Sequence, residues 1–408
     1  MAKTPAMTIR RRIPKPGPVA RVAVVVGVLV VLFIGFALAD AWTAMGTAAT
    51  GARRALMQAS PQYDDGRFAN PQPLWNDILG SIWGFANGSP YASPAAPPPI
   101  EAVDAARFAT PPASGLRVTW LGHSTVLVEI DGLRILTDPV WGKRAGPLTW
   151  LGPERWYPPP LPLEQLPPVD AIVLSHDHYD HLDFPTIAAL ALRDTVWIAP
   201  LGVPAHLEYW GVPAARIVEL DWGGSHRLVG KSGAVLTIHC TESRHASGRQ
   251  VFDQNATLWA GYALISDKHR VFFSGDTGLF PGMKAIGERF GPFDLTMIEV
   301  GAYNKAWPDW HIGPEQAIEA HGWLRGKVLL PVHWGLFDLS LHGWTEPIER
   351  TLVAADAANV VVLTPRPGGS VEPSSPPPRL RWWPDVPWQT AAQDPIVATG
   401  VDARRAAP

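Results

Sequence analysis

Cysteine is almost missing from this chain: among 408 residues only Cys240 carries a thiol. A lone thiol cannot close an intramolecular disulfide, and it excludes any zinc or iron–sulfur site built on cysteines alone. A metal, if one is bound, must rest on His, Asp or Glu. Charge is also scarce, at 17% of positions against 47% apolar ones, which excludes global disorder and leaves enough apolar sequence for a substantial core. Without the basic N-terminal residues Lys3, Arg10, Arg11, Arg12, Lys15 and Arg21, and without Asp40, the rest of the chain has 28 Lys and Arg against 36 Asp and Glu. A body this acidic is unsuited to nucleic acid as a partner. No internal repeat of short period is present.

What is there begins with a long apolar run. Residues 22–39 form an eighteen-residue stretch without a charge, which as a helix spans about 27 Å, close to the ~30 Å of a bilayer core. Trp42 just beyond it suits an interfacial anchor. Two fates fit: a retained anchor, or a signal peptide cleaved after Ala37-Leu38-Ala39. In either case the six cations stay on the cytoplasmic side and the remainder is exported, which in a bacterium places a tethered domain on the periplasmic face of the inner membrane, or a cleaved one in the periplasm. Arg10-Arg11 weakly matches a twin-arginine export signal, from which Ile9 and Pro14 depart.

The expected organisation is a basic segment (1–21), the membrane segment (22–42), a Pro/Ala-rich linker and extension (43–112) with a short helix around 73–85, one folded domain (113–372) and a Pro/Trp-rich tail (373–408). Within the domain, short β-type runs at 116–120, 125–130 and 133–137 are followed by apolar runs that stop at polar clusters: 171–174, 235–238, 271–273 and 328–332. Asp131-Gly132 predicts a tight hairpin. Helical stretches at 184–192, 281–290 and 314–324 lie between some of the strands, the first capped by Asp183 with Pro185 in its first turn. Strands with polar ends and intervening helices predict an α/β sandwich with a site along one sheet edge.

His176-Asp177-His178-Tyr179-Asp180-His181 packs three imidazoles and two carboxylates into six positions directly after a strand. Packing asks for no such density. His176 and His178, two apart, can face the same way and grip one ion, and Asp180 and His181 fall on the next turn, within reach of a second. Further donors have to come from elsewhere in the chain. His245, Asp276 and His333 each follow a predicted strand.

Together with Ser274-Gly275-Asp276-Thr277-Gly278 and Pro331-Val332-His333-Trp334, this HxHxDH segment resembles the metallo-β-lactamase superfamily of binuclear hydrolases. Trp120-Leu121-Gly122-His123-Ser124-Thr125, Leu136-Thr137-Asp138-Pro139, residues 289–295, Gly301-Ala302-Tyr303 and His311-Ile312-Gly313-Pro314-Glu315-Gln316-Ala317 narrow the resemblance to the branch of N-acylphosphatidylethanolamine-hydrolysing phospholipases D, over residues 116–362. Gly313 departs from the Asp or Asn usual there. The resemblance implies a four-layer αββα sandwich; the N-terminal transmembrane helix and its linker, read from the apolar run, lie outside the matching region. It implies that His176, His178, His245 and Asp276 hold one ion, and that Asp180, His181, His333 and the bridging Asp276 hold the other. Two zinc ions suit these donors best, with iron or manganese as alternatives.

Two such cations bring the pKa of a shared water toward ~7, so the expected nucleophile is a bridging hydroxide. Asp180, Asp276 and His311 are the expected catalytic residues, His311 either protonating a leaving group or being structural. His123 and Asp138 are expected behind the ligands, orienting them. His206, His226, His269, His321 and His342 lack a partner pattern. The function implied is a membrane-tethered phospholipase D-type phosphodiesterase whose partners are a phospholipid or other amphipathic substrate and the membrane, with a homodimer open. Alternatives are a lactonase or small-ester hydrolase of the same fold, and a metal-containing membrane scaffold without catalysis. Nineteen tryptophans suggest either a lipid-facing rim including Trp141, Trp150, Trp156, Trp307 and Trp310, or core packing.

Overall fold

The structure is a computed structural model that describes residues 17–86 and 88–401. The cations Lys3–Lys15 and the arginine pair lie outside the described residues. The chain opens with helix α1 (Pro18–Met45), followed by α2 (Gly51–Ala59), the two-residue strands β1 (Tyr63–Asp64) and β2 (Arg67–Phe68), and α3 (Ile78–Ala86). Residues Arg21–Met45 of α1 are long and apolar enough to cross a membrane, with a mean hydropathy of 3.1 and none of the most apolar stretch buried. Its length and composition fit a membrane anchor or a signal sequence alike. Helix α3 begins later than the sequence predicts, because the backbone N–H of Trp75 is held outside it by Asp309 (2.9 Å).

The first sheet contains β3 (Leu116–Gly122), β4 (Thr125–Ile130), β5 (Leu133–Thr137), β6 (Ala171–Val173), β7 (Val196–Pro200) and β8 (Ile217–Leu220), with β16 (Ser370–Val371) pairing onto β3. The second contains β9 (Ser225–Val229), β10 (Val235–Thr241), β11 (Gly261–Ser266), β12 (Arg270–Phe273), β13 (Leu295–Glu299), β14 (Val328–Val332) and β15 (Val361–Val362). Alternation along the strands decides which side chains go where. Val126, Val128 and Ile130 enter the core between the sheets, and Leu127 enters a separate core on the outer face. That outer core is closed by Ile187 and Leu190 of α4 (Phe184–Leu190) and Leu207 of α5 (Pro204–Tyr209). On the other side α6 (Gly282–Phe290), α7 (Pro314–Trp323) and α8 (Glu346–Ala358) bury Ile286, Ile318 and Leu352. The result is the expected αββα order of layers. Asp131 and Gly132 both have positive φ (48° and 90°), as a two-residue hairpin turn requires.

The flanks behave differently from a solvated linker and tail. Met57, Phe68, Val103 and Phe108 of the N-terminal extension are buried, as are Trp382 and Trp383 beyond the last strand. Trp334 stacks on Trp120 and on Trp382, its ring centroid 5.3 Å from each, and those two rings lie 6.3 Å from one another. Proline richness predicted stiffness here, but the interspersed aromatic and aliphatic side chains have more to gain from burial than from water. Much of the tryptophan excess is therefore packing: Trp120, Trp197 and Trp259 are fully buried.

His321 of α7 is held in the same interior, its Nδ1 2.7 Å from Thr296 Oγ1. Burial pushes its pKa from 6.5 to about 4. The unfolded chain therefore binds a proton that the folded one refuses between those values, so this contribution to stability is complete above pH 6.5 and is lost as pH falls toward 4. His321→Gln should flatten the decline of stability across that window by up to about 3 kcal/mol, measured by chemical denaturation at pH 7 and pH 4.5.

Candidate metal centre

Strand direction builds the site. In the first sheet β5, β6 and β7 run parallel, and in the second β12, β13 and β14 do. Their carboxyl ends therefore deliver Asp138, the 175–183 loop, Asp276, Glu299 and His333 to one edge of the sandwich. His123 joins them from the β3–β4 turn, whose carbonyl accepts from the His333 backbone N–H (3.1 Å). His123, Asp138 and His333 all have positive φ (53°, 32° and 63°). Such backbone costs of order 1 kcal/mol or more per residue, and it persists where the surrounding structure dictates it.

His176, His178, His245 and Asp276 offer donor atoms that lie within 4.8 Å of one another, as do those of His123, Asp180, His181 and His333. Asp276 Oδ2 stands between the two groups, 3.1 Å from His181 Nε2, 3.1 Å from His333 Nε2 and 3.8 Å from His245 Nε2. All seven sequence-predicted residues thus converge. A third group joins Asp276 and His333 to Glu299 and His311.

Hydrogen bonds on the far ring nitrogens aim the imidazoles. Asp138 accepts from the Ser175 backbone N–H (2.7 Å) and hydroxyl (2.6 Å), and its Oδ2 is 2.7 Å from His181 Nδ1. His245 Nδ1–H donates to the Trp310 carbonyl (2.7 Å), and His311 Nδ1–H to Glu299 Oε2 (2.8 Å). Asp177, the one acidic residue of the motif that is not a donor here, accepts from Gly248 N–H and the Thr257 hydroxyl (2.8 Å each) and pins the loop to the following segment. Losing the Asp138 carboxylate should loosen His181. We expect Asp138→Asn to weaken metal affinity about 10- to 100-fold, the usual cost of removing a partner that orients a ligand, as read by chelator competition.

The donor set fits divalent cations. His176 Nε2, His181 Nε2 and Asp276 Oδ1 are buried without a hydrogen-bond partner in the described protein, and His245 Nε2 faces His178 Nδ1 at 3.2 Å. Such orphaned atoms are costly unless something satisfies them. Burial and neighbouring imidazoles hold His176 well below the usual range, burial does the same to His245, and burial lowers His178. Shifts in this direction favour the neutral ring, whose lone pair a cation can take. On the other side burial opposes a charge on His333, yet Asp276 and Asp180 push it up to about 10. Two carboxylates there call for positive charge, which a divalent cation supplies.

Sequence reasoning misplaced some residues and missed one. His123 was expected behind the ligands, and its Nε2 lies 3.0 Å from Asp180 Oδ2, within hydrogen-bond reach of that carboxylate and close to the second donor group. Glu299 went unnoticed because it ends a strand with no histidine nearby in sequence. His342, expected to be ordinary, accepts from the Ala302 backbone N–H (3.0 Å) and stacks on Tyr303 at 4.5 Å, fixing the loop beside His333. Of the tryptophans proposed as a rim, Trp141 and Trp156 pack against cores, Trp307 and Trp310 are half-buried beside the site, and Trp150 is exposed.

Comparison with known proteins identifies the family. The family described as Beta-lactamase superfamily domain matches residues 133–334. An uncharacterized protein of Mycobacterium tuberculosis is 46% identical over 340 residues, 81% of this chain and 89% of its own length. N-acyl-phosphatidylethanolamine-hydrolyzing phospholipase D 1 of Caenorhabditis elegans is 40% identical over 253 residues, 60% of this chain and 71% of its own. A metallo hydrolase from Ignicoccus hospitalis, solved as a structure, is 25% identical and covers 63% of this chain and 97% of its own, with a TM-score of 0.48. The chain belongs to the metallo-β-lactamase superfamily and is a metal-dependent hydrolase of that fold. Within it, the chain falls with the branch that includes the worm phospholipase D.

Proposed function

We propose that this protein is a membrane-tethered phosphodiesterase of the phospholipase D type that uses two metal ions to hydrolyse N-acylphosphatidylethanolamine-like lipids, releasing an N-acylethanolamine and leaving phosphatidate. The observation that carries this is the pair of donor groups meeting at Asp276, in a chain 40% identical to the worm enzyme. His176, His178, His245 and Asp276 would hold one ion, and Asp180, His181, His333 and Asp276 the other, with zinc the best match for imidazole and carboxylate donors. Two divalent cations held by these residues would supply hydroxide at neutral pH and would offset the charge that grows on phosphoryl oxygens.

The chain's own groups do the rest. Asp276 fixes the spacing of the two donor groups. Asp180, held by His123 and His333 (3.0 and 3.2 Å), keeps its group anionic. His311 and His178 are the half-buried imidazoles of the cluster; the His311 side chain is 16% exposed, against 2% or less for His123, His176, His181, His245 and His333. With the His311 Nδ1–H committed to Glu299, its Nε2 is the nitrogen left to take up a proton from solvent and pass it to a departing alcohol. A cavity of about 820 Å³ with a mixed lining, Trp75, Tyr91, Leu341 and Trp388 beside Asp77, Lys305, Glu346 and Asp394, reaches His342 and has room for part of an amphipathic substrate. His342 also lines a small space against His333. The retained anchor raises the effective concentration of a lipid substrate.

The test is full-length, zinc-loaded protein with N-acylphosphatidylethanolamine in mixed micelles, the products followed by mass spectrometry. Phosphatidate and N-acylethanolamine together are expected. Ring opening of lactones with no phosphatidate would reject the phospholipid assignment in favour of a lactonase, and no hydrolysis of either would favour a scaffold.

A further inference from the structure

We propose that the folded domain makes its own contact with the bilayer through two uncharged loop tips that flank α1 and enter the outer half of the membrane beside it, an inference that rests on α1 being a retained anchor. The first tip crowns a finger at residues 143–155. Its stem is closed by hydrogen bonds from Ala145 N–H to the Pro153 carbonyl (2.9 Å) and from Arg155 N–H to the Lys143 carbonyl (3.0 Å). Lys143 and Arg144 pair there with Glu154. The tip itself, Gly146-Pro147-Leu148-Thr149-Trp150-Leu151-Gly152, has no charge, and Trp150 and Leu151 are 39% and 57% exposed.

This tip is seated on α1. Asp40 of the helix accepts from the Thr149 backbone N–H (2.8 Å) and hydroxyl (2.9 Å). The Trp150 ring lies 5.7 Å from that of Phe33 and 6.3 Å from that of Phe36. Phe33 precedes Asp40 by seven residues, about 10 Å along a helix. Any bilayer that surrounds α1 at Phe33 also surrounds the tryptophan packed against it. That contact identifies lipid as the occupant of this face, and an apolar tip on a charged stem has the pattern of an element that stops at the headgroups.

The second tip is Gln250-Val251-Phe252, where Val251 and Phe252 are 86% and 88% exposed. Arg249, just before it, is buried and donates twice to the Ala44 carbonyl at the end of α1 (3.0 and 2.7 Å), a favourable place for a cation. The same guanidinium lies over the rings of Tyr179 (4.0 Å) and Trp210 (5.0 Å) and donates to the Leu182 carbonyl (2.9 Å). Both tips are therefore held against one end of the helix, and both are rooted in the metal loop: Gly142 N–H, at the base of the finger, donates to Asp183 (2.9 Å). A single helix lets a domain swivel. Two further contacts fix its tilt, and with it the orientation of the donor cluster over the lipid surface.

The experiment uses the full chain in vesicles of phosphatidylethanolamine and phosphatidylglycerol, with one nitroxide label at a time on Leu151→Cys, Phe252→Cys, Val30→Cys in α1, or Val229→Cys. Val229 opposes Val235 at the start of β10, away from the donor edge, and the native Cys240 is buried. Labels at 151 and 252 should be relaxed by oxygen in preference to a water-soluble nickel chelate, as at 30, while 229 shows the reverse. If 30 is in lipid but 151 and 252 are as aqueous as 229, the loops do not insert and the proposal fails while the anchor stands. If 30 itself is aqueous, the anchor fails and the proposal with it.

Discussion

Replacement of Asp276 by asparagine is expected to abolish hydrolysis while leaving a folded protein. The carboxylate is buried, and although burial opposes its ionisation, His181 and His333 hold it well below the usual carboxylate range. Its Oδ2 is the atom on which both donor groups converge, and its Oδ1 has no hydrogen-bond partner among the described residues. An amide of the same size offers one neutral oxygen in place of two anionic ones. Both sites would lose a charge and their shared link, so metal content should fall from two ions per chain toward one or none. Phosphodiester turnover should drop by about 10³-fold or more, the scale set by removing one group that stabilises transition-state charge. Elemental analysis beside the kinetics checks this; unchanged metal content and turnover would remove Asp276 from the centre of the mechanism.

The second large effect concerns stability. Arg244 and Asp309 form an ion pair at 2.9 Å with both side chains buried. Asp309 also accepts from Trp75 N–H (2.9 Å), Thr399 N–H (2.7 Å) and the Thr399 hydroxyl (2.6 Å), while Arg244 donates to the carbonyls of Pro73 (2.6 Å) and Thr399 (2.9 Å). This pair ties the N-terminal extension and the C-terminal segment to the back of the metal centre, since His245 follows Arg244 and Trp310 follows Asp309. Asp309→Ala leaves a guanidinium buried without its counter-charge and should cost about 3–5 kcal/mol. Thermal unfolding in detergent measures it. The double variant Arg244→Met/Asp309→Leu should recover part of the loss, because no buried charge then goes unpaired. A loss no smaller in the double variant would show that the hydrogen bonds to the flanks, and not the charge, are what matters.

Much of the donor set was legible before any coordinates, and for a physical reason. Three imidazoles and two carboxylates within six residues are a local feature, and local features survive in one dimension. His245, Asp276 and His333 were legible because each stands just after an apolar run, where a chain leaving a sheet must turn toward an edge. The apolar helix was legible because hydrophobic length against bilayer thickness is a one-dimensional comparison. What sequence alone determined was therefore the ligand chemistry, the alternation that sorts the two sheets, and a segment fit for a membrane.

Tertiary structure decided the rest, because it depends on which distant segments become neighbours. Glu299 joins the cluster only since β13 lies between β12 and β14, so that its end falls between Asp276 and His333. His123 finds Asp180 as its particular partner because the β3–β4 turn meets the end of β14. The supposed linker and tail become part of the domain through the Arg244–Asp309 pair and the Trp120–Trp334–Trp382 stack, contacts between residues far apart in the chain. The seating of Trp150 on Phe33 is of the same kind. No spacing or composition encodes such pairings; they follow from the way two sheets close over a shared core.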